Sequence, residues 1–264
     1  MPLITSLKNP RVQEAVRLRD RRHREQQGRT LIDGARELRR ATAAGVRLHE
    51  AFVCPALCQS DDARHLLAAI SECGCQAWEV SAAVFEKLAF GQRAEGVLGV
   101  AETPHRPLDE LSVPDNAIVA VLEGVEKPGN LGAVLRSADA TGVAAVVVAD
   151  GRTDLFNPNA IRASLGTIFS MPVCECTSRE AMAWLGERGF SIYAARVDGA
   201  VPYTDVDCRG PTAIVLGNEA KGLSDVWTGL NVQAVRLPML GVADSLNLSV
   251  TAAVLFYEAV RQRR

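Results

Sequence analysis

The sequence of 264 residues contains no apolar run of the length that a membrane-spanning helix requires. Such a helix needs about 20 predominantly apolar residues, and the longest apolar stretches here are interrupted by charged residues or glycine. The amino-terminal residues also lack the apolar stretch of a secretory signal. We therefore expect a cytoplasmic protein without membrane contact, and its 48% hydrophobic and 23% charged residues are typical of a globular chain.

Histidine is scarce, and the later part of the chain has none. The histidines are His23, His49, His65 and His105. Any chemistry beyond residue 105 therefore proceeds without the commonest general base, which excludes Ser-His-Asp, Cys-His and histidine–metal mechanisms from that part.

Cysteine spacing and glycine patterning exclude further kinds of site. The pairs Cys73–Cys75 and Cys174–Cys176 are separated by one residue, whereas zinc sites typically have two or more, so we expect reduced thiols and no metal. The chain has no G-x-G-x-x-G sequence, and the segment from Gly217 to Gly222 is not followed by the Lys-Ser/Thr of a phosphate-binding loop. These absences exclude a dinucleotide-dependent oxidoreductase and a P-loop NTPase.

Charge is unevenly distributed along the chain. Residues 1–50 contain 12 Lys or Arg against 6 Asp or Glu, a net charge of +6, whereas the other 214 residues have a net charge of −8. The basic segment suggests a contact with a polyanion, and a solvated helix face is the alternative. Because arginine outnumbers lysine 25 to 4 over the whole chain, arginine richness alone carries little weight.

Glycine, proline and apolar spacing divide the chain into two parts. Asn9 and Pro10 predict the start of a basic helix that ends at Gln27, before Gly28. Further helices, one near residues 61–73, alternate with short strands up to residue 102, and residues 103–114 contain three prolines without a periodic pattern. We predict a small α/β domain over residues 1–103, a linker over 104–114 and a second domain over 115–264.

The second domain alternates helices with continuous apolar strands, which is typical of a parallel sheet covered on both faces. Three loops, within residues 123–142, 216–224 and 237–254, directly follow predicted strands. Parallel strands end at one edge of a sheet, where ligands bind, so we expect these loops to converge on a common site.

Taken together, the three loops resemble the three sequence motifs of the SpoU/TrmH family of the SPOUT superfamily, the RNA ribose 2′-O-methyltransferases. The matching residues, in chain order, are Asn130-Leu131-Gly132 with Arg136, Gly217-Asn218-Glu219 with Gly222-Leu223, and Leu237-Pro238-Met239 with Ser245-Leu246-Asn247-Leu248-Ser249. This resemblance covers about residues 117–262. The basic first part resembles, more loosely, the substrate-binding domain of family members that modify ribosomal RNA.

The resemblance implies an α/β protein with two unequal domains. The second would be a parallel-sheet SPOUT domain with a deep trefoil knot, and the smaller first one a ribosomal-protein-like α/β substrate-binding domain. The resemblance also implies S-adenosylmethionine as methyl donor, RNA as substrate and a homodimer assembled through the second domain.

The motif positions become candidate site residues through the same resemblance. The candidate catalytic residues are Asn130, Arg136, Glu219, Ser245 and Asn247. The residues expected to hold the cofactor, mostly through their backbone, are Leu216, Gly217, Leu237 and Leu246. The basic segment supplies the candidate contacts with the RNA backbone, Arg17, Arg21, Arg22, Arg24, Arg39 and Arg40.

Each candidate catalytic residue also has a structural alternative. Asn130 could cap its helix, and Ser245 or Asn247 could cap the last helix. Arg136 could form a surface salt bridge, with Glu219 as a candidate partner. In the functional interpretation Arg136 grips the phosphate next to the reacting ribose by bidentate hydrogen bonds and orients the 2′-hydroxyl, because deprotonating a guanidinium is too costly for it to act as a base.

The predicted function is methylation of a ribose 2′-hydroxyl, with 23S ribosomal RNA as the expected substrate and a role in antibiotic resistance left open. Two alternatives remain, a tRNA 2′-O-methyltransferase and a non-catalytic RNA-binding or ribosome-assembly factor that keeps the fold. The intact set of Arg136, Glu219 and Asn247 argues against a lost activity.

Overall fold

The computed structural model describes residues 1–59, 61, 66, 70, 74–89, 95–198 and 201–264. The chain divides into two compact units, one comprising Met1–Pro104 with Phe156–Ser170 and the other His105–Leu155 with Met171–Arg264. Within the described ranges, no helix has both the length and the apolar character needed to cross a membrane.

The first unit is built on a mixed sheet. Its strands are β1 (Leu3–Ile4), β2 (Arg29–Asp33), β3 (Leu48–Val53), β4 (Gln76–Val80) and β5 (Val97–Glu102). Among the described residues their order is β1-β4-β3-β5-β2, with β1, β4 and β3 parallel and β5 antiparallel to both of its neighbours. The helices whose bounds lie within the described residues of this part are α1 (Pro10–Arg17), α2 (Arg21–Gln27), α3 (Ala35–Ala43) and α4 (Ala82–Leu88). A 3-10 turn lies at Pro55–Leu57.

The core of the first unit lies between the sheet and the apolar faces of α1 and α4. Val12 from α1 and Phe85 from α4 are fully buried in one cluster with Phe52 and Leu98 from the sheet. Burying side chains of this size stabilises a fold by about 1.5–3 kcal/mol each. The helix predicted near residues 61–73 falls largely outside the described residues.

The basic helix predicted over residues 10–27 is in fact two helices. Asp20 interrupts it, because its carboxylate accepts a hydrogen bond from the Arg22 amide at 2.8 Å and so caps a new helix, α2. The guanidinium of Arg24 then reaches back to the carbonyl oxygens of Leu18 and Arg19, at 2.8 and 2.7 Å. These bonds satisfy carbonyls left open where α1 ends.

The second unit is built on a parallel sheet, as predicted. Its strands are β6 (Ile118–Glu123), β7 (Ala145–Ala149), β8 (Val173–Cys176), β9 (Ser191–Ala195), β10 (Val201–Pro202), β11 (Thr212–Leu216) and β12 (Val232–Arg236). Among the described residues they are all parallel, in the order β10-β12-β9-β11-β6-β7-β8. The helices of this unit are α5 (Pro128–Thr141), α8 (Ser178–Glu187) and α9 (Leu248–Gln262), while α6 (Pro158–Ala163) and α7 (Thr167–Ser170) belong to the first unit.

Short 3-10 turns complete the second unit. They lie at Leu108–Glu110, Tyr203–Asp205 and Asp225–Trp227.

The helices of the second unit pack against its buried strands. All residues of β6, β7 and β11 are buried, which explains why their sequences are continuously apolar rather than alternating. α5 packs along α9, and α9 packs against β11. Because β6 and β11 are neighbours in the sheet, the loops that follow them start side by side.

Residues 156–170 belong to the first unit, although the sequence pattern places them in the second domain. The Thr30 hydroxyl donates a hydrogen bond to the Phe156 carbonyl at 2.7 Å, and the Arg40 guanidinium donates one to the Leu165 carbonyl at 2.8 Å. Gly166 packs so closely that a Cβ there would lie 3.0 Å from the Cα atom of Glu37. The first unit is therefore completed by residues more than a hundred positions away in sequence, which a division into contiguous segments does not foresee.

Candidate active site

A cavity of about 560 Å³ lies at the carboxyl ends of the parallel strands. It is lined by the ends of β9, β11 and β12 and by the loops that follow β11 and β12. The predicted cofactor-binding residues all line it: Leu216, Gly217, Leu237 and Leu246. The wall mixes apolar residues with charged side chains, which are Glu219, Lys221, Asp244 and the ion pair of Asp198 with Arg196.

The loop that follows β11 closes on itself as a small hairpin. The Asn218 amide donates to the Gly222 carbonyl at 3.1 Å, and the Gly222 amide donates to the Asn218 carbonyl at 2.8 Å. The Asn218 side chain accepts hydrogen bonds from the amides of Ala220 and Lys221, and its Nδ2 donates to the Gly124 carbonyl at 2.8 Å. Asn218 therefore fixes the second loop and ties it to the first.

Gly217 is required by this closure of the loop. A Cβ at this position would lie 2.4 Å from the carbonyl carbon of Gly222 and 2.6 Å from the amide nitrogen of Leu223. Real Cβ atoms do not approach backbone atoms so closely, so any other residue at 217 would force the hairpin open.

Glu219 brings two asparagines from different loops together. Asn130 donates a hydrogen bond through Nδ2 to Glu219 Oε1. Asn247 Nδ2 lies 3.4 Å from the same carboxylate oxygen and 3.3 Å from Asn130 Oδ1. We call Asn130, Glu219 and Asn247 the Glu219 cluster.

Capping explains one of the two asparagines. Asn247 caps α9, since its Oδ1 accepts a hydrogen bond from the Ser249 amide at 2.9 Å, so its structural and cluster roles coexist. The capping alternative for Asn130 is wrong. α5 begins at Pro128 and Lys127 occupies the cap position, so Asn130 is the third helical residue and its side chain is free to bond Glu219.

Arg136 does not join the Glu219 cluster. It follows Asn130 by six helical residues, a rise of about 9 Å with a rotation of roughly 240°. Its side chain is exposed and, among the described residues, forms no hydrogen bond or ion pair. The proposed salt bridge between Arg136 and Glu219 is therefore wrong for a single chain.

Glu219 is ion-paired with Lys127, a residue that the sequence patterns do not single out. Lys127 Nζ lies 2.7 Å from Glu219 Oε2, and this carboxylate raises the pKa of the lysine above its usual value. The position of Lys127 directly before the Pro-Gly-Asn of the first motif was the available signal.

Ser245 lines the large cavity and, within the described ranges, makes no hydrogen bond to the cluster.

Glu123, the last residue of β6, is a buried carboxylate that holds the end of the loop after β11 by hydrogen bonds. Its Oε1 accepts hydrogen bonds from the hydroxyls of Ser178 and Ser224, both at 2.6 Å, and its Oε2 accepts one from the Ser224 amide at 2.7 Å. Ser224 lies two residues after the hairpin of Asn218 and Gly222, so Glu123 holds this loop to the end of the sheet. A carboxylate ending an otherwise apolar strand was the sequence signal for it.

The candidate RNA contacts differ in their availability. Arg24 is buried and bonds the Leu18 carbonyl, so the prediction that it contacts RNA is wrong. Arg40 donates a hydrogen bond to the Leu165 carbonyl, which weakens the same prediction for Arg40. The exposed candidates are Arg17, Arg21, Arg22 and Arg39. Arg17 and Arg21 form exposed ion pairs within their helices, which are weak enough for a phosphate to displace.

The cysteines have the properties of packed thiols. Burial raises the pKa of Cys174 to about 12 and that of Cys176 and Cys208 to about 11, so all three are protonated at neutral pH. In the part of the chain that the structure describes, no group of three or more His, Cys, Asp or Glu side chains is placed to hold a metal ion.

Two family models match this chain. A model of the SpoU rRNA Methylase family matches residues 117–257, and one of the MRM3-like substrate binding domain matches residues 9–99. The first match contains all three loops and the Glu219 cluster, and the second contains the basic segment from residue 9 onwards.

Individual proteins are similar to this chain over part or all of its length. The 23S rRNA (uridine(2479)-2′-O)-methyltransferase of Streptomyces viridochromogenes is 36% identical over 185 residues, which span 67% of this chain and 64% of that protein. A solved RNA 2′-O ribose methyltransferase is 42% identical with a TM-score of 0.88, covering 99% of both chains. The SpoU methyltransferase AviRb from Streptomyces viridochromogenes, solved in complex with AdoMet, is 29% identical with a TM-score of 0.86, covering 97% of this chain and 99% of the other.

The buried role of Glu123 leads to a prediction for stability. In Glu123→Gln the side-chain NH₂ replaces an acceptor, so one of the donors of Ser178 or Ser224 loses its partner in a buried place. We expect the free energy of unfolding in urea to fall by about 1–3 kcal/mol. The matched control is Glu126→Gln, which removes an exposed ion pair with Arg152 and should change stability by less than about 0.5 kcal/mol. Equal stability of the two variants would contradict this account.

Proposed function

The chain belongs to the SpoU rRNA methylase family, and we propose that it transfers a methyl group from S-adenosylmethionine to a ribose 2′-hydroxyl of RNA. The observation that carries this proposal is the convergence of the three motif loops on one place. There a cavity of about 560 Å³ shares Glu219 with a cluster of polar side chains.

We propose 23S ribosomal RNA as the substrate. The family description names rRNA, and the relative from Streptomyces viridochromogenes is a 23S rRNA methyltransferase. Residues 9–99 match a substrate-binding domain, which supports an enzyme that binds a large RNA through its first domain as well as at the catalytic site. We propose a cytoplasmic protein, which such a substrate supports.

The large cavity fits an adenosyl cofactor. Its volume lies within the range of about 300–1,000 Å³ that is typical of small-molecule sites. Leu237 and Leu246 provide apolar walls, and the backbone around Gly217 offers amide and carbonyl groups to an adenine edge. The carboxylate of Asp244 suits a positively charged ligand, whereas that of Asp198 is already ion-paired with Arg196. When bound, S-adenosylmethionine supplies an electrophilic methyl group attached to a cationic sulfur.

The Glu219 cluster prepares the acceptor hydroxyl. By accepting from both amide nitrogens, Glu219 fixes which atom of Asn130 faces outward. Asn130 Oδ1 has two lone pairs, of which Asn247 uses one at 3.3 Å, so the other can accept the proton of a ribose 2′-hydroxyl. The hydroxyl oxygen is thereby turned towards the methyl group. With S-adenosylmethionine bound, the 2′-oxygen would take the methyl group as the bond between that group and the cofactor's sulfur breaks, and the proton would leave to the neighbouring phosphate or to water.

Arg136 acts, in this proposal, on the active site of a second copy of the chain. It points away from its own Glu219 cluster, and it lies on α5, next to α9. On α9, the apolar residues Val250, Val254 and Tyr257 follow one another at helical spacing and so form a stripe along one face. This stripe is accessible to solvent in the single chain, since Val250 is 48% and Tyr257 55% exposed. We propose a homodimer that buries this stripe and brings Arg136 of one copy to the phosphate held in the other. The trefoil knot remains a proposal that the similarity to solved SpoU methyltransferases supports.

The cofactor site can be tested by calorimetric titration with S-adenosylmethionine. Leu246 lines the cavity, so Leu246→Trp should fill it and weaken binding by at least about tenfold. The matched control is Leu240→Trp, in the same loop but 99% exposed, which should bind as the wild type does. A substitution of Gly217 is unsuitable because it opens the loop. No binding by the folded wild type at millimolar cofactor would contradict the proposal, as would equal binding by the two variants.

Complementation tests the shared active site. Arg136→Ala and Asn130→Ala should each abolish most methylation of RNA. When the two variants are mixed and allowed to exchange subunits, each mixed dimer has one intact site, so activity should return to about a quarter of the wild-type value. If Arg136 served its own chain, no site in the mixture would be intact and activity would stay at the level of the single variants.

A further inference from the structure

A second, smaller cavity adjoins the large one. It has a volume of about 180 Å³, roughly a third of the first, and its lining includes Val125, Glu126, Lys127 and Asn130. The two cavities share a wall formed by Asn218, Glu219, Ala220 and Leu248. A group in the smaller cavity therefore lies against the Glu219 cluster, on the other side of the wall from the site proposed for the cofactor.

Lys127 is the cationic side chain of this smaller cavity. Its side chain is 71% exposed, and Nζ bonds Glu219 Oε2 at 2.7 Å. The adjacent Glu126 forms its ion pair with Arg152, at 2.7 Å, and acts on Lys127 only through its charge, which adds to the effect of Glu219 in raising the pKa of the lysine. Glu219 is thus the carboxylate that Lys127 contacts directly in the described structure, and most of the lysine's surface faces solvent.

The ion pair between Lys127 and Glu219 suits exchange with a phosphate. An exposed lysine–carboxylate pair contributes little to stability, so a competing anion can displace it at little cost. Glu219 keeps the hydrogen bonds from Asn130 and Asn247 when the lysine leaves, so its carboxylate stays oriented. Without Lys127, the same carboxylate would repel the phosphates that flank an incoming ribose.

We infer that the smaller cavity receives the acceptor ribose and that Lys127 leaves Glu219 to bind a phosphate flanking that ribose. This inference rests on the proposed function. It assigns Lys127 as a substrate-binding residue, distinct from the Glu219 cluster that orients the hydroxyl. One flexible lysine then neutralises Glu219 in the free protein and binds the RNA backbone in the complex.

The test measures RNA binding and methylation for Lys127→Met and Lys127→Arg, with a 23S rRNA transcript that the wild type methylates. Losing one phosphate contact should reduce the slope of log K against log salt by about 0.7–0.9. In Lys127→Met we expect the KM for RNA to rise about tenfold, with an unchanged Kd for S-adenosylmethionine. Lys127→Arg, which keeps the charge, should recover most of the affinity. The matched control is Arg209→Met, an exposed cation before β11 at the opposite edge of the sheet from the site, which should leave KM and the slope unchanged.

Each outcome decides a different claim. If the folded wild type methylates no RNA, the proposed function fails. If the wild type is active and Lys127→Met keeps its KM and salt slope, the phosphate contact is refuted. A lower kcat with an unchanged KM and slope would also refute it, because Lys127 would then act only by neutralising Glu219.

Discussion

The carboxylate of Glu219 is the interaction on which the active site depends. Its two oxygens accept hydrogen bonds from Asn130 on α5, from Asn247 at the start of α9 and from Lys127 before α5. These residues come from three separate loops of the chain, counting the one that holds Glu219 itself, and one carboxylate brings their side chains together. Removing the charge would leave the Asn130 amide and the lysine without their carboxylate partner, while Asn247 would keep its capping bond.

A rigid frame below the cluster holds Glu219 in position. Glu123 fixes the end of the second loop to β6, and Asn218 closes that loop and ties it to Gly124. Gly217 permits the closure because no Cβ would fit there. The buried strands β6 and β11 carry both loops side by side, so the hydrophobic core determines the distance between groups that act on one ribose.

Sequence reasoning reached the parts of this arrangement that depend on local patterns. Apolar runs predicted β6 and β11, and strand ends predicted where the loops meet. Sequence reasoning did not predict contacts between distant residues. No local pattern shows that Glu219 pairs with Lys127 rather than with Arg136. Nor does a local pattern show that the Asn130 side chain bonds a carboxylate instead of capping its helix. The prediction that Arg24 contacts RNA was wrong because the composition of a basic segment does not show which of its arginines is buried. Residues 156–170 join the first unit through contacts that no contiguous division predicts.

The most direct test of the account is analysis of the product. Purified wild type and Glu219→Gln are incubated with a 23S rRNA transcript and labelled S-adenosylmethionine, and the RNA is digested to nucleosides for mass spectrometry. We expect the methyl group on the ribose of a 2′-O-methylnucleoside, formed about 10²-fold more slowly by the variant because its amides are no longer held in place. A methyl group on a base, or an equal rate for the variant, would contradict the assignment of the Glu219 cluster to ribose methylation.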